Sequence, residues 1–218
     1  MNYKSKSLQI SCDGGAATGK STAAKMISMK YKLKFLSSGL LYRYASFLIL
    51  KYKPSNNIRF LKLKFKNLDY KKLDKINLQS LKISEHSAVI AKISSIRNIL
   101  KKFQTTFAKK YNMCCIEGRD ISTKILPQSD IKFFFICNLD TASLRRYREL
   151  KKTNSNIKLK DVKKALRIRN ILDTKRKNSP LLRHRDSVSI DTGKLNKQAV
   201  LKKMSKYVEK VIRLKHGN

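Results

Sequence analysis

Nine consecutive residues have types and spacing that point to chemistry: Gly14, Gly15, Ala16, Ala17, Thr18, Gly19, Lys20, Ser21 and Thr22. They satisfy G-x-x-x-x-G-K-[ST] at every fixed position, the pattern of a phosphate cradle. Glycine lets the backbone turn tightly and approach an anion closely. The amides of the loop, and of the helix it opens, point at that anion. Lys20 is spaced to reach the β- and γ-phosphates of a nucleoside triphosphate, and the Ser21 hydroxyl to hold Mg²⁺. The cradle needs a strand before it and a helix after it. Residues 8–12 are short, mostly apolar and compatible with a strand, and residues 20–29 carry apolar side chains at helical spacing.

Arginines are the second signal. Arg43, Arg97, Arg119, Arg145, Arg146, Arg169 and Arg176 lie in or near the segments that could form a site. A guanidinium binds two phosphate oxygens at once. Phosphoryl transfer concentrates negative charge, and its catalysis is mostly positioning and charge stabilisation. An enzyme that only hydrolyses a triphosphate needs few such groups. One that joins two phosphorylated substrates needs many. For any single arginine, a solvated surface position is the plain alternative.

The elements that must position these residues follow from the apolar pattern. Segments 8–12, 33–36, 113–116, 131–136 and 187–190 read as five buried parallel strands separated by helices. That pattern predicts an α/β fold with a five-stranded parallel sheet flanked by helices. Ligands of such sheets sit beyond the carboxyl ends of the strands. The loop 14–22 follows the first strand, Ser37-Ser38-Gly39 the second, and Glu117-Gly118-Arg119-Asp120 the third.

Two regions stand outside the sheet. Residues 44–107 form the longest interval between strands. Within it, 51–75 is strongly basic without a sustained period, and 84–107 reads as a helix. Residues 141–176 form a helical hairpin, the shape of a closing lid. Asp140 or Thr141 can cap its first helix, which runs through Glu149. Thr153-Asn154-Ser155-Asn156 makes its turn, and a basic second helix starts from Lys160 or Asp161. Residues 195–214 form a last helix. The organisation expected is a core of 1–43, 108–140 and 177–218, an insert of 44–107, and a lid with its following helix at 141–176.

Lys+Arg number 51 against 14 Asp+Glu, a net charge of +37. The lysines are spread along the chain, and no zinc-finger, RNP or K-homology signature accompanies them. A lysine-rich surface over an enzyme is expected, with weak, salt-sensitive attachment to polyanions and no specific nucleic acid. No stretch of about 18 apolar residues is present, so no membrane span is expected. The start of the chain is polar, and Asp13 interrupts the apolar run after it, so a cytoplasmic location is expected. Cys12, Cys114, Cys115 and Cys137 lie in or beside strand segments and read as reduced thiols. His86, His184 and His216 show neither ligand nor triad spacing.

The whole set resembles the bacterial cytidylate kinase family, of the nucleoside monophosphate kinase group. The likeness runs nearly end to end and is weakest over about 44–80. Asp13-Gly14-Gly15-Ala16-Ala17-Thr18-Gly19-Lys20-Ser21-Thr22 is similar to the family's D-G-P-A-A-S-G-K-[SG]-T. Ser38-Gly39-Leu40-Leu41-Tyr42-Arg43 matches S-G-x-x-Y-R, and Glu117-Gly118-Arg119-Asp120 matches [DE]-G-R-D. Pro127-x-Ser129-x-x-Lys132-x-Phe134 is similar to P-x-A-x-x-K-I-F. Asp173-x-x-Arg176-x-x-x-Pro180-Leu181 matches D-x-x-R-x-x-x-P-L, and Asp191-Thr192 matches D-[ST].

The resemblance implies an ATP-dependent, Mg²⁺-requiring phosphorylation of CMP and dCMP by a monomer. Lys20 and the loop amides would bind the ATP phosphates. Arg43, Arg119 and Arg176 would grip the acceptor phosphate or the moving phosphoryl group. Asp173 and Arg169 would contact the acceptor nucleotide, Asp173 at its ribose. Ser38, Arg97 and Asp120 would hold the acceptor and read cytosine, since a carboxylate accepts from the cytosine amino group. Arg145 and Arg146 would meet the ATP phosphates when the lid closes. The chain departs from the family pattern at Gly15, where proline is usual, at Ala91, where serine often reads the base, and at Lys82, where arginine is found. Three other readings compete: a P-loop kinase for another small substrate, a basic nucleic-acid-binding P-loop NTPase, and a degraded homologue that only binds nucleotide.

Overall fold

The computed structural model describes residues 7–152 and 155–216. Thr153 and Asn154 of the predicted turn lie outside the described residues, as does the His216 side chain. The chain divides into two compact units. One comprises the described residues up to Phe35 and from Asn112 onward, and the other is Leu36–Tyr111.

All five predicted strands form: β1 (Leu8–Gly14), β2 (Lys34–Ser37), β3 (Met113–Gly118), β4 (Ile131–Ile136) and β5 (Val188–Asp191). They make one parallel sheet in the order β2-β3-β1-β4-β5. In β1, Leu8, Ile10 and Cys12 alternate onto one buried face. Helix α1 (Lys20–Lys30) covers that face with Ala23, Ala24 and Ile27, and the C-terminal helix (Lys197–His216) covers it with Val200, Met204 and Val208. The three positions of the C-terminal helix are four apart, which puts them on one stripe. The aromatic rings of Phe133 and Phe135 on β4 fill the same core.

Register sets the functional segments side by side. Cys12 pairs with Glu117, Asp13 with Gly118, and Gly14 with Phe135. The glycine loop after β1 and the Arg119-Asp120 segment after β3 therefore leave the same end of the sheet as neighbours. Thr192, just after β5, joins them: its N–H donates to Ile136 O at 3.0 Å and its hydroxyl to Thr18 O at 2.7 Å.

The second unit contains α2 (Ser38–Tyr52), α3 (Asn57–Lys66), a tight turn at Tyr70–Lys75, α4 (Leu81–Ile90) and α5 (Ser94–Lys110). Two expectations need correction here. The basic stretch 51–75 is not without order. Ile58, Leu61 and Phe65 recur at helical spacing, Leu61 and Phe65 are buried, and Phe65 meets Tyr44 and Phe103 with ring centroids 5.8 and 5.9 Å apart. The single helix expected at 84–107 is two helices. The backbone closes α4 through Lys92 N–H to Val89 O and Ile93 N–H to Ile90 O, and Ile93 is extended before α5 begins. No glycine or proline marks the break.

In the first unit, helices α6 (Leu139–Lys151) and α7 (Leu159–Lys175) form the expected hairpin. Its cap is neither Asp140 nor Thr141. Asn138 is the N-cap, and its side-chain oxygen accepts from Thr141 N at 2.8 Å. Helix α7 starts at Leu159, one residue before the earlier of the two predicted starts. We number the C-terminal helix α8.

The four cysteines are free thiols. The Cys12 and Cys115 sulfurs lie 3.8 Å apart. Burial pushes the Cys12 thiol well above its ordinary range and the Cys114 thiol up to about 12. Among the described residues no helix is long and apolar enough to cross a membrane.

Candidate active site

The loop 14–19 owes its shape to two glycines. A Cβ on Gly14 would fall 2.5 Å from the Phe135 carbonyl oxygen, so β4 leaves room only for hydrogen there. Gly19 has φ of 76°, in the left-handed region that favours glycine, and stands at the N-cap of α1. That cap makes no side-chain hydrogen bond, and the first turn holds no acidic residue. The helix therefore keeps its orphan N–H groups and its positive end for an anion.

Lys20 is buried at the start of α1. Its Nζ donates to Gly15 O at 3.1 Å and lies 3.8 Å from Glu117 Oε2. Burial, joined by the nearby positive charge of Arg119 and against the pull of Glu117, lowers its pKa to about 7. Ser21 and Thr22 are exposed on the first turn, which leaves the Ser21 hydroxyl open to a ligand.

The arginines of the Arg119-Asp120 and Asp173–Arg176 segments converge. Arg119 Nε donates to Asp173 Oδ2 at 2.8 Å, and Arg176 reaches Asp173 Oδ1 at 3.6 Å and Asp120 Oδ1 at 3.7 Å. Arg176 Nε also donates to Ser179 O at 2.6 Å. Burial would raise the Asp173 carboxyl, but Arg119, Arg169 and Arg176 together hold it below the ordinary carboxylate range. The result is a partly buried group of alternating charges that presents guanidinium forks beside the Lys20 ammonium.

The remaining predicted residues fall into two sets. In the first unit, Arg145 is fixed by two hydrogen bonds to Thr192, NH1 to Oγ1 at 3.1 Å and NH2 to O at 2.7 Å, beside Gly19. Arg146 instead donates to Glu149 on its own helix at 3.0 Å. In the second unit, Ser38 is buried at the first position of α2. Arg43 NH1 donates to Gln79 Oε1 at 2.5 Å. Arg97 is buried, donates to Ala91 O at 3.2 Å and lies over the Tyr42 ring.

Four residues at this site were not predicted as site residues. Glu117 faces Lys20, and Thr192 bridges Arg145 to the glycine loop. Asn170 accepts from Ala16 N at 3.2 Å. Asp13 accepts from Ile121 N, Ser122 N and Ser122 Oγ at 2.8, 2.7 and 2.6 Å, and so fixes the turn that follows Asp120. Burial raises Asp13 to about 6 even though those three hydrogen bonds favour its charged form. Asp13, Glu117 and Thr192 lie inside motifs and could have been read from them. Asn170 carries no local signal of its role.

The model of the cytidylate kinase family matches residues 10–210. The chain belongs to the cytidylate kinase family. Membership covers both units and every segment of the site. A cytidylate kinase of Bartonella quintana (strain Toulouse) is 32% identical over 209 residues, which are 95% of this chain and 97% of the relative. One from Rickettsia canadensis (strain McKiel) is 33% identical over 207 residues, 94% of each chain. Among solved structures, a shikimate kinase from Bacteroides thetaiotaomicron superposes with a TM-score of 0.54 at 10% identity, covering 94% of this chain and 99% of that one. An uncharacterised protein from Eubacterium ventriosum gives a TM-score of 0.55 at 17% identity, covering 94% and 99%. At such identities the likeness shows the fold alone.

Proposed function

We propose that the protein transfers the γ-phosphoryl group of ATP to CMP and dCMP, giving ADP with CDP or dCDP. The observation that carries this reading is the Arg119–Asp173–Arg176–Asp120 group standing beside the buried Lys20 in a chain of the cytidylate kinase family. A phosphate oxygen of the acceptor attacks the γ-phosphorus while the bond to the ADP oxygen breaks. That oxygen is already nucleophilic, so no side chain has to remove a proton from it. The protein's task is to place both phosphates and spread their charge.

Lys20 and the first-turn amides of α1 hold the donor phosphates. Arg119 and Arg176 bind the acceptor phosphate and the moving group, held in orientation by Asp173. Arg169 and Asp173 also contact the acceptor nucleotide, and Ser38, Arg43 and Arg97 serve it as well. Arg145 and Arg146 serve the donor phosphates on the lid. Mg²⁺ prefers hard oxygen donors. The exposed Ser21 hydroxyl and the Glu117 carboxylate next to Lys20 suit it. When bound there, Mg²⁺ would supply neutralisation of the phosphate charge.

Asp120 is the proposed reader of the base. Its carboxylate accepts from the amino group of cytosine and repels the carbonyl that uracil carries in its place. A buried mismatch of this kind costs about 1–3 kcal/mol, so UMP should be a roughly tenfold to hundredfold poorer acceptor than CMP in kcat/KM. Asp120→Asn keeps the shape and adds a donor, so the ratio should shrink to within about threefold while KM for ATP holds. An unchanged ratio in Asp120→Asn would remove Asp120 from this role.

A further inference from the structure

Helix α7 carries more than the acceptor-side groups Arg169 and Asp173. Between them, Asn170 Oδ1 accepts the N–H of Ala16 at 3.2 Å. The carbonyl of the same peptide unit, Gly15 O, accepts from Lys20 Nζ and from Thr18 Oγ1, both at 3.1 Å. A trans peptide is planar, so its N–H and C=O point in opposite directions and rotate together. Fixing the Ala16 N–H therefore fixes where the Gly15 carbonyl points, and that carbonyl holds Lys20. A second contact ties the same spot to the hairpin: the buried Ala16 methyl packs with Ala142 of α6 and with Val162 and Leu166 of α7.

We propose that Asn170 is a positioning residue for ATP binding. It sets the plane of the Gly15–Ala16 peptide and, through it, the place of Lys20. It also makes the geometry of the donor cradle depend on the helix that presents Asp173 to Arg119. The role requires a hydrogen-bond acceptor at 170, and it belongs to ATP rather than to the acceptor nucleotide.

The test uses the full chain with Asn170→Ala and Asn170→Asp. Alanine is a good helix former and keeps α7 intact, while aspartate keeps the acceptor. Loss of one such hydrogen bond should weaken binding about five- to tenfold. Asn170→Ala should raise KM for ATP by that factor, leave KM for CMP within about twofold, and leave the melting temperature near that of the unmodified protein. Asn170→Asp should return KM for ATP to within about threefold. Calorimetric titration with Mg–ATP alone should show the same ranking, and that measurement does not depend on which acceptor is used. An unchanged ATP affinity in Asn170→Ala would overturn the proposal. So would equal losses in the two variants, or KM values for ATP and CMP that rise together with a fall in melting temperature.

Discussion

Lys20→Met should lose about 10²- to 10³-fold in kcat while remaining folded. An ammonium aimed at developing phosphate charge contributes several kcal/mol in a water-poor site. The fold does not need it. Lys20 is buried and its pKa is pulled down to about 7, so the native state disfavours its charge. Between pH 7 and its ordinary value the unfolded chain binds the extra proton, and stability from this group rises with pH across that window. At neutral pH the methionine variant should thus melt no lower than the unmodified protein. The same residue predicts a proton linkage. A triphosphate beside Lys20 favours the ammonium, so ATP binding above pH 7 should take up as much as one proton and weaken as pH rises. Calorimetry at pH 8 in buffers of different ionisation enthalpy should detect that uptake, and Lys20→Met should abolish it. A folded variant with near-normal kcat would contradict the assignment of the loop.

Asp173→Asn should damage both stability and transfer. Asp173 lies between Arg119 at 2.8 Å and Arg176 at 3.6 Å, all three mostly buried. Removing its charge leaves two arginines poorly compensated. Breaking such a buried pair costs about 3 kcal/mol or more, or roughly 6–12 °C in Tm for a chain of this size. The loss of Arg119 and Arg176 orientation should lower kcat/KM for CMP by about a hundredfold. The stability deficit has a pH signature. The Asp173 carboxyl is held below its ordinary value, so its contribution is present above about pH 4 and is lost as pH falls through the folded pKa. Melting curves of the two proteins should therefore converge in acid. A constant gap at all pH values would show that the asparagine harms packing and not the charge group.

The glycine loop was legible because its chemistry is contiguous: spacing alone identifies Lys20 and Ser21. The strands were legible because each is a short apolar run between polar segments. The types of the charge group were legible too, as Arg119, Asp120, Asp173 and Arg176 sit in motifs, but their pairing was not. Arg119 and Asp173 are 54 positions apart and meet only because α7 returns to the end of β3. Asn170 was invisible for a related reason. It is one polar residue on a basic helix, and its partner is a backbone N–H. The helix at 57–66 was hidden by composition. Lysines at 62, 64 and 66 and the exposed Leu63 interrupt a period that Ile58, Leu61 and Phe65 otherwise keep. The break between α4 and α5 carries no glycine or proline, so only the closing backbone hydrogen bonds reveal it.

The central claim is the identity of the acceptor, and one coupled assay tests it. The unmodified protein is supplied with Mg–ATP and, in turn, CMP, dCMP, UMP and AMP, and both ADP and the nucleoside diphosphate are quantified. CMP and dCMP should each yield one diphosphate per ADP, with UMP roughly tenfold to hundredfold poorer and AMP poorer than CMP. ADP formation that ignores CMP, responds to added DNA or RNA, or proceeds equally with UMP would contradict the account.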